Sequence, residues 1–335
     1  MVEPASSRSG LVVALQANYC WVSLDTEGPG GVDRLLCTRR ARLDRSGLSV
    51  CVGDRVVVDG IDWPQRRAAV ALRDPRRNVL ERPAVANIDR VVVVMALAEP
   101  APDPLLFTRF LLTAEATGQP VIPVLSKADL VPQQEVVAWR QRLALWGYDA
   151  MPLRLGPDGV DHAGLERLRE RLSSAGITVV CGPSGVGKSS LLNALLPDQD
   201  LRVGAVSGRL RRGRHTTRHV ELFPLVGGGT QPDGALVADT PGFNRPDLTL
   251  PAADLAGLFP EIRARLDGCC CRYSNCAHLD DPGCVVGSGW DRHPHYRQLF
   301  LELRERGERP LSRQSSAQQQ ASRRRGRQQD AAAQA

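Results

Sequence analysis

Eight consecutive residues, Gly182-Pro183-Ser184-Gly185-Val186-Gly187-Lys188-Ser189, follow the pattern G-x-x-x-x-G-K-[ST], a spacing that lets a turn of backbone close around a polyphosphate. The glycines allow N–H groups to converge at the positive end of a helix. Lys188 adds a compact, mobile charge for the β- and γ-phosphates, and the Ser189 hydroxyl is placed for Mg²⁺. With Ser190 at the start of the following turn, residues 182–190 are the candidate phosphate-binding set. The flanks agree: Ile177–Cys181 is an apolar run suited to a buried parallel strand, and Ser190–Leu196 has helical spacing that stops at Pro197.

Of 43 basic side chains two are lysines, Lys127 and Lys188, and the other 41 are arginines. Lysine persists where a point charge is needed, because the planar arginine fork does not replace it in such a loop. Lys127 stands in Ser126-Lys127-Ala128-Asp129, close to the guanine-reading pattern N-K-x-D. A carboxylate at Asp129 can accept from the ring N–H and the exocyclic amine of guanine together. Adenine presents an acceptor there and would leave the carboxylate unpaired, so Asp129 argues against an ATPase. Downstream, Asp239-Thr240-Pro241-Gly242 is a D-x-x-G, with Asp239 near Mg²⁺ and the Gly242 N–H near a γ-phosphate. Between the two lies the basic stretch Arg209–Arg218, in which the hydroxyl of Thr217 or its neighbour Thr216 can complete the Mg²⁺ shell and the arginines can meet RNA phosphates.

A third cluster is Cys271, Cys276, His278 and Cys284. A Cys₃His set suits one closed tetrahedral structural Zn²⁺, and so short a module buries little of its own, so the metal supplies folding energy. Five of the nine cysteines fall between 269 and 284, and Cys269 and Cys270 are spare thiols.

These residues need elements to hold them. Before residue 79, Leu11–Leu15, Tyr19–Leu24, Arg34–Thr38 and Asp54–Val58 alternate with Gly/Pro/Asp turns, a rhythm that predicts a five-stranded OB-fold barrel. Arg39, Arg40, Arg42, Arg45, Arg66, Arg67, Arg73, Arg76 and Arg77 favour RNA contact there. From 79 the pattern becomes α/β. Strands are expected over Ile88–Val94, Val121–Leu125, Ala150–Leu155 and Gly234–Ala238, with helices over Leu105–Thr117, Gln133–Trp146 and His162–Leu172. That alternation predicts a parallel sheet with ligands at the carboxyl ends of its strands. The domains expected are a barrel over 1–78, a nucleotide domain over 79–249, a zinc module over 250–306 and a disordered basic tail over 307–335. A net charge of +6 fits a polyanionic partner. No apolar run is long enough to span a bilayer and no secretory signal is visible, which predicts a cytoplasmic protein without a membrane partner.

The motifs occur in permuted order, with Ser126–Asp129 ahead of the phosphate loop, whereas ordinary GTPases place that motif last. Together with the leading barrel and the C-x₄-C-x-H-x₅-C cluster, this arrangement resembles the small ribosomal subunit biogenesis GTPases of the RsgA/YjeQ family over roughly residues 10–300. The resemblance implies a circularly permuted GTPase domain that binds GTP and GDP. It implies hydrolysis stimulated by the small (30S) ribosomal subunit and its rRNA during late maturation, by a monomer for which no DNA partner is expected. It also points to His215 as the residue that orients the attacking water, since Phe243 follows Gly242 where Ras-like enzymes carry Gln. Two positions depart from the family: Ser126 replaces Asn, and Leu153–Gly156 stands where a Ser-Ala pair backs the base. These departures and Phe243 motivate an alternative reading, a nucleotide-gated RNA-binding assembly factor with negligible catalysis.

Overall fold

The computed structural model describes residues 7–16, 18–39, 49–81, 84–156, 159–197, 220–225, 234–239, 246 and 248–308. The chain forms two compact units, Met1–Leu248 and Thr249–Ala335.

The first unit begins with β1 (Arg8–Gln16), β2 (Tyr19–Gly28), β3 (Val32–Arg39), β4 (Arg55–Asp62) and β5 (Arg67–Arg73). They pair in the order β1-β2-β3-β5-β4, and β4 returns to β1, so the barrel closes. Val12, Val22, Leu35, Val56, Val58 and Val70 fill its interior. Along β1 the neighbours of Val12, Leu11 and Val13, point the other way into the core of the adjoining α/β layer. Both faces of this strand are therefore apolar, and the run Leu11–Leu15 does not alternate. Asp54 anchors the barrel to the next segment: it is fully buried, accepts from the Cys51 amide at 2.7 Å and is held by Arg76 at 2.7 and 2.9 Å.

A short hairpin, β6 (Val79–Glu81) and β7 (Ala84–Ala86), leads into the α/β layer. Its elements in chain order are β8 (Ile88–Ala96), α1 (Pro104–Glu115), β9 (Val121–Ser126), α2 (Gln133–Leu145), β10 (Met151–Pro152), β11 (Leu155–Gly156), β12 (Gly159–Val160), α3 (His162–Leu172), β13 (Gly176–Cys181), α4 (Lys188–Leu195), β14 (Glu221–Pro224) and β15 (Ala235–Asp239). Across the sheet the order is β10-β9-β8-β13-β15-β14. All are parallel except β14, which pairs antiparallel with β15 and touches β1 of the barrel through Ala14 and Glu221. The central strand β13 thus follows in sequence the three strands on one side of it. Val91, Val93 and Met95 pack on one face with Phe107, Phe110 and Leu111 of α1. Val92, Val94 and Ala96 pack on the other with α3 and α4. Two covered faces explain the unbroken apolar run over 91–98.

Helix starts follow the local chemistry. Asp103 accepts from the amides of Leu105 and Leu106 at 3.0 Å, and Asp161 accepts from Gly164 at 2.9 Å. At the far end of α3 the buried Arg90 of β8 donates to the carbonyls of Leu172, Ser174 and Ala175 at 3.0, 2.6 and 2.7 Å, placing a cation where the helix exposes unpaired acceptors.

Three elements differ from the sequence reading. The strand expected over Ala150–Leu155 shrinks to Met151–Pro152, because the chain turns off at Leu155 into the β11–β12 hairpin. β14, Glu221–Pro224, lies where the sequence reading placed no strand. In the second unit His293–Glu308 is a helix, α6, that buries His293 and Tyr296. That unit also holds a 3-10 turn over Ala252–Leu258 and α5 (Pro260–Leu266). Its core is aromatic, with Phe259 edge-on to Trp290 and Tyr296 at 5.7 and 5.3 Å. Glu261 and Arg292 form a buried ion pair, with Nε to Oε1 at 2.6 Å.

Candidate nucleotide site and metal site

The loop 182–187 joins β13 to α4 at the carboxyl end of the sheet. Gly182 has φ +146°, and a Cβ there would lie 2.2 Å from the Val94 carbonyl oxygen; the loop is tucked so closely against β8 that only glycine fits. Gly187, at φ +90°, turns the chain left-handed into α4. Val186 is buried beneath the loop, while Ser184, Gly185 and Ser189 face solvent. Pro183 and Ser190 are half-buried. Lys188 lies back along the loop, its Nζ donating to the carbonyls of Gly182 at 2.8 Å and Pro183 at 2.6 Å. Burial pulls its pKa down to about 8, against a smaller opposing influence from Cys181.

Ser126 ends β9 in register with Ala96 of β8. Its buried hydroxyl lies 2.5 Å from the Val186 carbonyl oxygen and 3.2 Å from that of Met95. One hydroxyl proton serves the nearer acceptor, so Ser126 ties the base-reading segment directly to the phosphate loop. Lys127 follows with φ +55° and donates from Nζ to the Glu99 carbonyl, and the Ala128 amide reaches the Leu153 carbonyl at 3.3 Å. Asp129 is exposed. A cavity of about 220 Å³ is lined by Ser126, Lys127, Asp129, Leu130, Leu155, Gly187 and Ser190. The structure therefore gathers around one recess two motifs that are far apart in sequence. Leu130 and Leu155 give it apolar walls that the motif spacing did not reveal. Their signal is faint, since each is an ordinary leucine beside a turn.

Asp239 is the last residue of β15, which runs parallel beside β13 with Ala238 level with Val179, so its backbone reaches the same end of the sheet as the loop. His215, Thr216, Thr217, Gly242 and Phe243, and the whole of Arg209–Arg218, lie outside the described residues. The arginines expected to meet RNA divide. Arg66 and Arg67 are exposed. Arg76 is committed to Asp54, Arg73 approaches the same carboxylate at 4.0 Å, and Arg77 pairs with Asp89 at 2.9 Å. The Arg73 contact stays within the barrel, while Arg76 and Arg77, neighbours in the segment that leaves β5, tie Asp54 of the barrel and Asp89 of β8 to that one segment. Arg40, Arg42 and Arg45 are outside the described residues.

In the second unit the donor atoms of Cys271, Cys276, His278 and Cys284 all lie within 4.8 Å of one another. His278 Nδ1 is 3.6, 3.5 and 3.4 Å from the three sulfurs, and the Cys271 and Cys284 sulfurs are 3.9 Å apart. A tetrahedral metal with ordinary metal–sulfur and metal–nitrogen bonds gives edges of about 3.6 Å for N to S and about 3.8 Å for S to S. The cluster has the dimensions of such a cage and could hold a metal ion. Burial lowers the His278 pKa, keeping the ring neutral as a ligand must be. Asp281 braces the turn, its Oδ2 accepting from the Ala277 amide at 3.1 Å and the Leu279 amide at 3.3 Å. Cys269 and Cys270 are exposed and stand outside the cluster.

A five-stranded barrel, a phosphate loop on a parallel sheet whose guanine motif comes first in the chain, and a Cys₃His module define a circularly permuted GTPase. Comparison with known proteins agrees. A sequence model described as RsgA GTPase matches residues 73–249. A protein named small ribosomal subunit biogenesis GTPase RsgA from Synechococcus sp. (strain CC9605) is 52% identical over 297 residues, covering 89% of this chain and 94% of the relative. A protein of the same name from Thermosynechococcus vestitus is 52% identical over 294 residues, 88% and 81% of the two chains. Among solved structures, YjeQ from Thermotoga maritima superposes with a TM-score of 0.70 at 28% identity, covering 89% of this chain and 99% of that one. YloQ, described as a circularly permuted GTPase, superposes with a TM-score of 0.70 at 27% identity, covering 92% and 99%. The chain belongs to the RsgA GTPase family and is a hydrolase acting on GTP.

Proposed function

We propose that the chain binds GTP with its phosphates on Gly182–Ser190 and its base in the recess beside Asp129, and hydrolyses it in the service of small ribosomal subunit maturation. The observation that carries this reading is the shared recess: Ser126, Lys127 and Asp129 meet Gly187 and Ser190 around one cavity, although the two motifs are in reversed order. Asp129 reads the guanine edge. Leu155 and Leu130 shield the base faces, filling the place of the missing Ser-Ala pair. Ser126 keeps the base segment and the phosphate loop at a fixed separation by its bond to Val186. The loop amides and Lys188 neutralise the phosphates. Mg²⁺, which would be held by Ser189, Thr217 and Asp239, neutralises charge on the β- and γ-phosphates when bound. His215 orients the attacking water, and a single Zn²⁺ occupies the Cys₃His cage. The protein works as a monomer in the cytoplasm, its barrel touching rRNA.

The deciding experiment is phosphate release from GTP, with ATP as control, with and without purified small subunits. Stimulated release with GTP alone is expected, together with loss of the stimulated rate in His215→Ala. Tight GTP binding without stimulation would overturn the catalytic reading, and equal turnover of ATP would overturn the role given to Asp129.

A further inference from the structure

The cage residues Cys271 and Cys276 hold the two ends of a knuckle, Arg272-Tyr273-Ser274-Asn275, whose four side chains all face solvent. Aromatics make up 4% of the chain, and among the described residues the exposed rings are those of Tyr19 and Tyr273. Tyr273 is 48% exposed at the tip of this knuckle. Its ring is not loose. The Arg272 guanidinium lies over it, 5.5 Å from the ring centroid. The Arg272 amide donates to the Gly283 carbonyl at 3.1 Å, and the Cys276 amide closes the knuckle onto the Tyr273 carbonyl at 3.2 Å. Gly283, at φ +78°, lets the Arg272 stem lie flat on the opposite strand of the turn, since a Cβ there would come within 2.9 Å of Arg272 Cβ. Nothing in the core of this unit needs Tyr273: Phe259, Trp290 and Tyr296 already pack together elsewhere. The knuckle therefore presents a braced, cation-backed aromatic face to solvent.

We infer that Arg272 and Tyr273 form a stacking platform for an unpaired base of single-stranded RNA, the base lying on the open part of the tyrosine ring while the guanidinium serves a neighbouring phosphate. Base-on-aromatic stacking beside an arginine is how proteins hold unstacked nucleotides without reading sequence. The metal cage fixes the backbone in advance, so little ordering cost remains on binding. The inference rests on the RNA-directed reading above and adds to it a second contact, separate from the barrel.

The test uses the full-length, metal-loaded protein and a short single-stranded RNA oligomer carrying 5-iodouridine, irradiated and mapped by mass spectrometry. An adduct on Tyr273 is expected. Unlabelled single-stranded RNA should suppress it and duplex RNA should not. In Arg272→Gln the adduct yield should fall by roughly 5-fold or more, within the range that one stacked base commands. Tyr273→Phe should keep the site and Tyr273→Ala should lose it, with metal content unchanged in every variant. Adducts that map only elsewhere would overturn the inference and leave the broader RNA reading standing. A protein that forms no adduct and binds no RNA would overturn both. If Tyr273→Ala weakens binding to intact small subunits while oligomer adducts avoid the knuckle, the surface meets protein and the inference is wrong.

Discussion

Lys188 carries a conflict that the nucleotide resolves. Burial holds its pKa near 8, well below an ordinary lysine, whereas a polyphosphate stabilises the charged form and raises the pKa again. Nucleotide binding near pH 8 should therefore take up about half a proton, and affinity should fall as pH rises through 8. Titration calorimetry in buffers of different ionisation enthalpy measures this uptake directly. A binding heat independent of buffer at pH 8 would refute it. Lys188→Met should abolish the uptake along with most of the affinity. Ser126 gives a second prediction. In Ser126→Ala the Val186 carbonyl loses its nearest donor, which costs about 1 kcal/mol, and GTP affinity should weaken roughly fivefold. The glycine-rich loop was legible in the sequence because its chemistry is local, eight residues deciding one turn. The Ser126–Val186 bond was not legible, because its partners are 60 positions apart. A serine stands where the family has asparagine, and only the fold brings its short side chain within reach of the loop.

Elements here are held by a few contacts that spacing cannot forecast. Arg90 sits in the apolar strand β8, and three carbonyls at the end of α3 depend on it. Arg90→Met keeps the length of the stem and removes the donors, leaving buried acceptors unpaired. It should destabilise the protein by about 3 kcal/mol, read as a lower midpoint in urea with the slope unchanged. Wild-type stability in that variant would mean that water replaces the guanidinium. Gly182→Ala tests another element contact, since the added methyl meets backbone rather than a movable side chain. Nucleotide affinity should drop at least tenfold, while unfolding by circular dichroism stays cooperative. The elements that were legible, β8, β9, β13 and the helices over 104–115 and 162–172, carry their own signal, an apolar run covered on both faces or a capped amphipathic repeat. Those that were not are defined by their neighbours. The four residues of β14 become a strand by pairing with β15 and touching β1. Residues 150–155 have strand composition, but the β11–β12 hairpin takes the chain away after Pro152.

At the scale of the whole molecule, the chain divides at Leu248 and Thr249 into two units that are stabilised differently. The first has three large apolar clusters and a continuous sheet, so its stability needs no metal. The second has no sheet among its described residues. It relies on one aromatic group, the buried Glu261–Arg292 pair and the Cys₃His cage. A buried ion pair contributes little net stability by itself, because desolvation offsets attraction. A metal held in the cage would therefore supply most of the folding free energy of that turn. Within this unit Tyr296 ties the aromatic group to the cage, donating from its hydroxyl to the Ala277 carbonyl at 2.7 Å between two cage residues. Removing the metal with a strong chelator should then raise hydrogen exchange across 268–290 and loosen the amides of the helix His293–Glu308. Exchange in β8, β13 and the phosphate loop, and the affinity for GTP, should stay within about twofold of the untreated protein. Cys276→Ser should reproduce the same regional pattern without a chelator. If chelation instead unfolded both units in a single transition, or abolished GTP binding, the two units would be one cooperative body, and the metal would have to be counted as part of the nucleotide site.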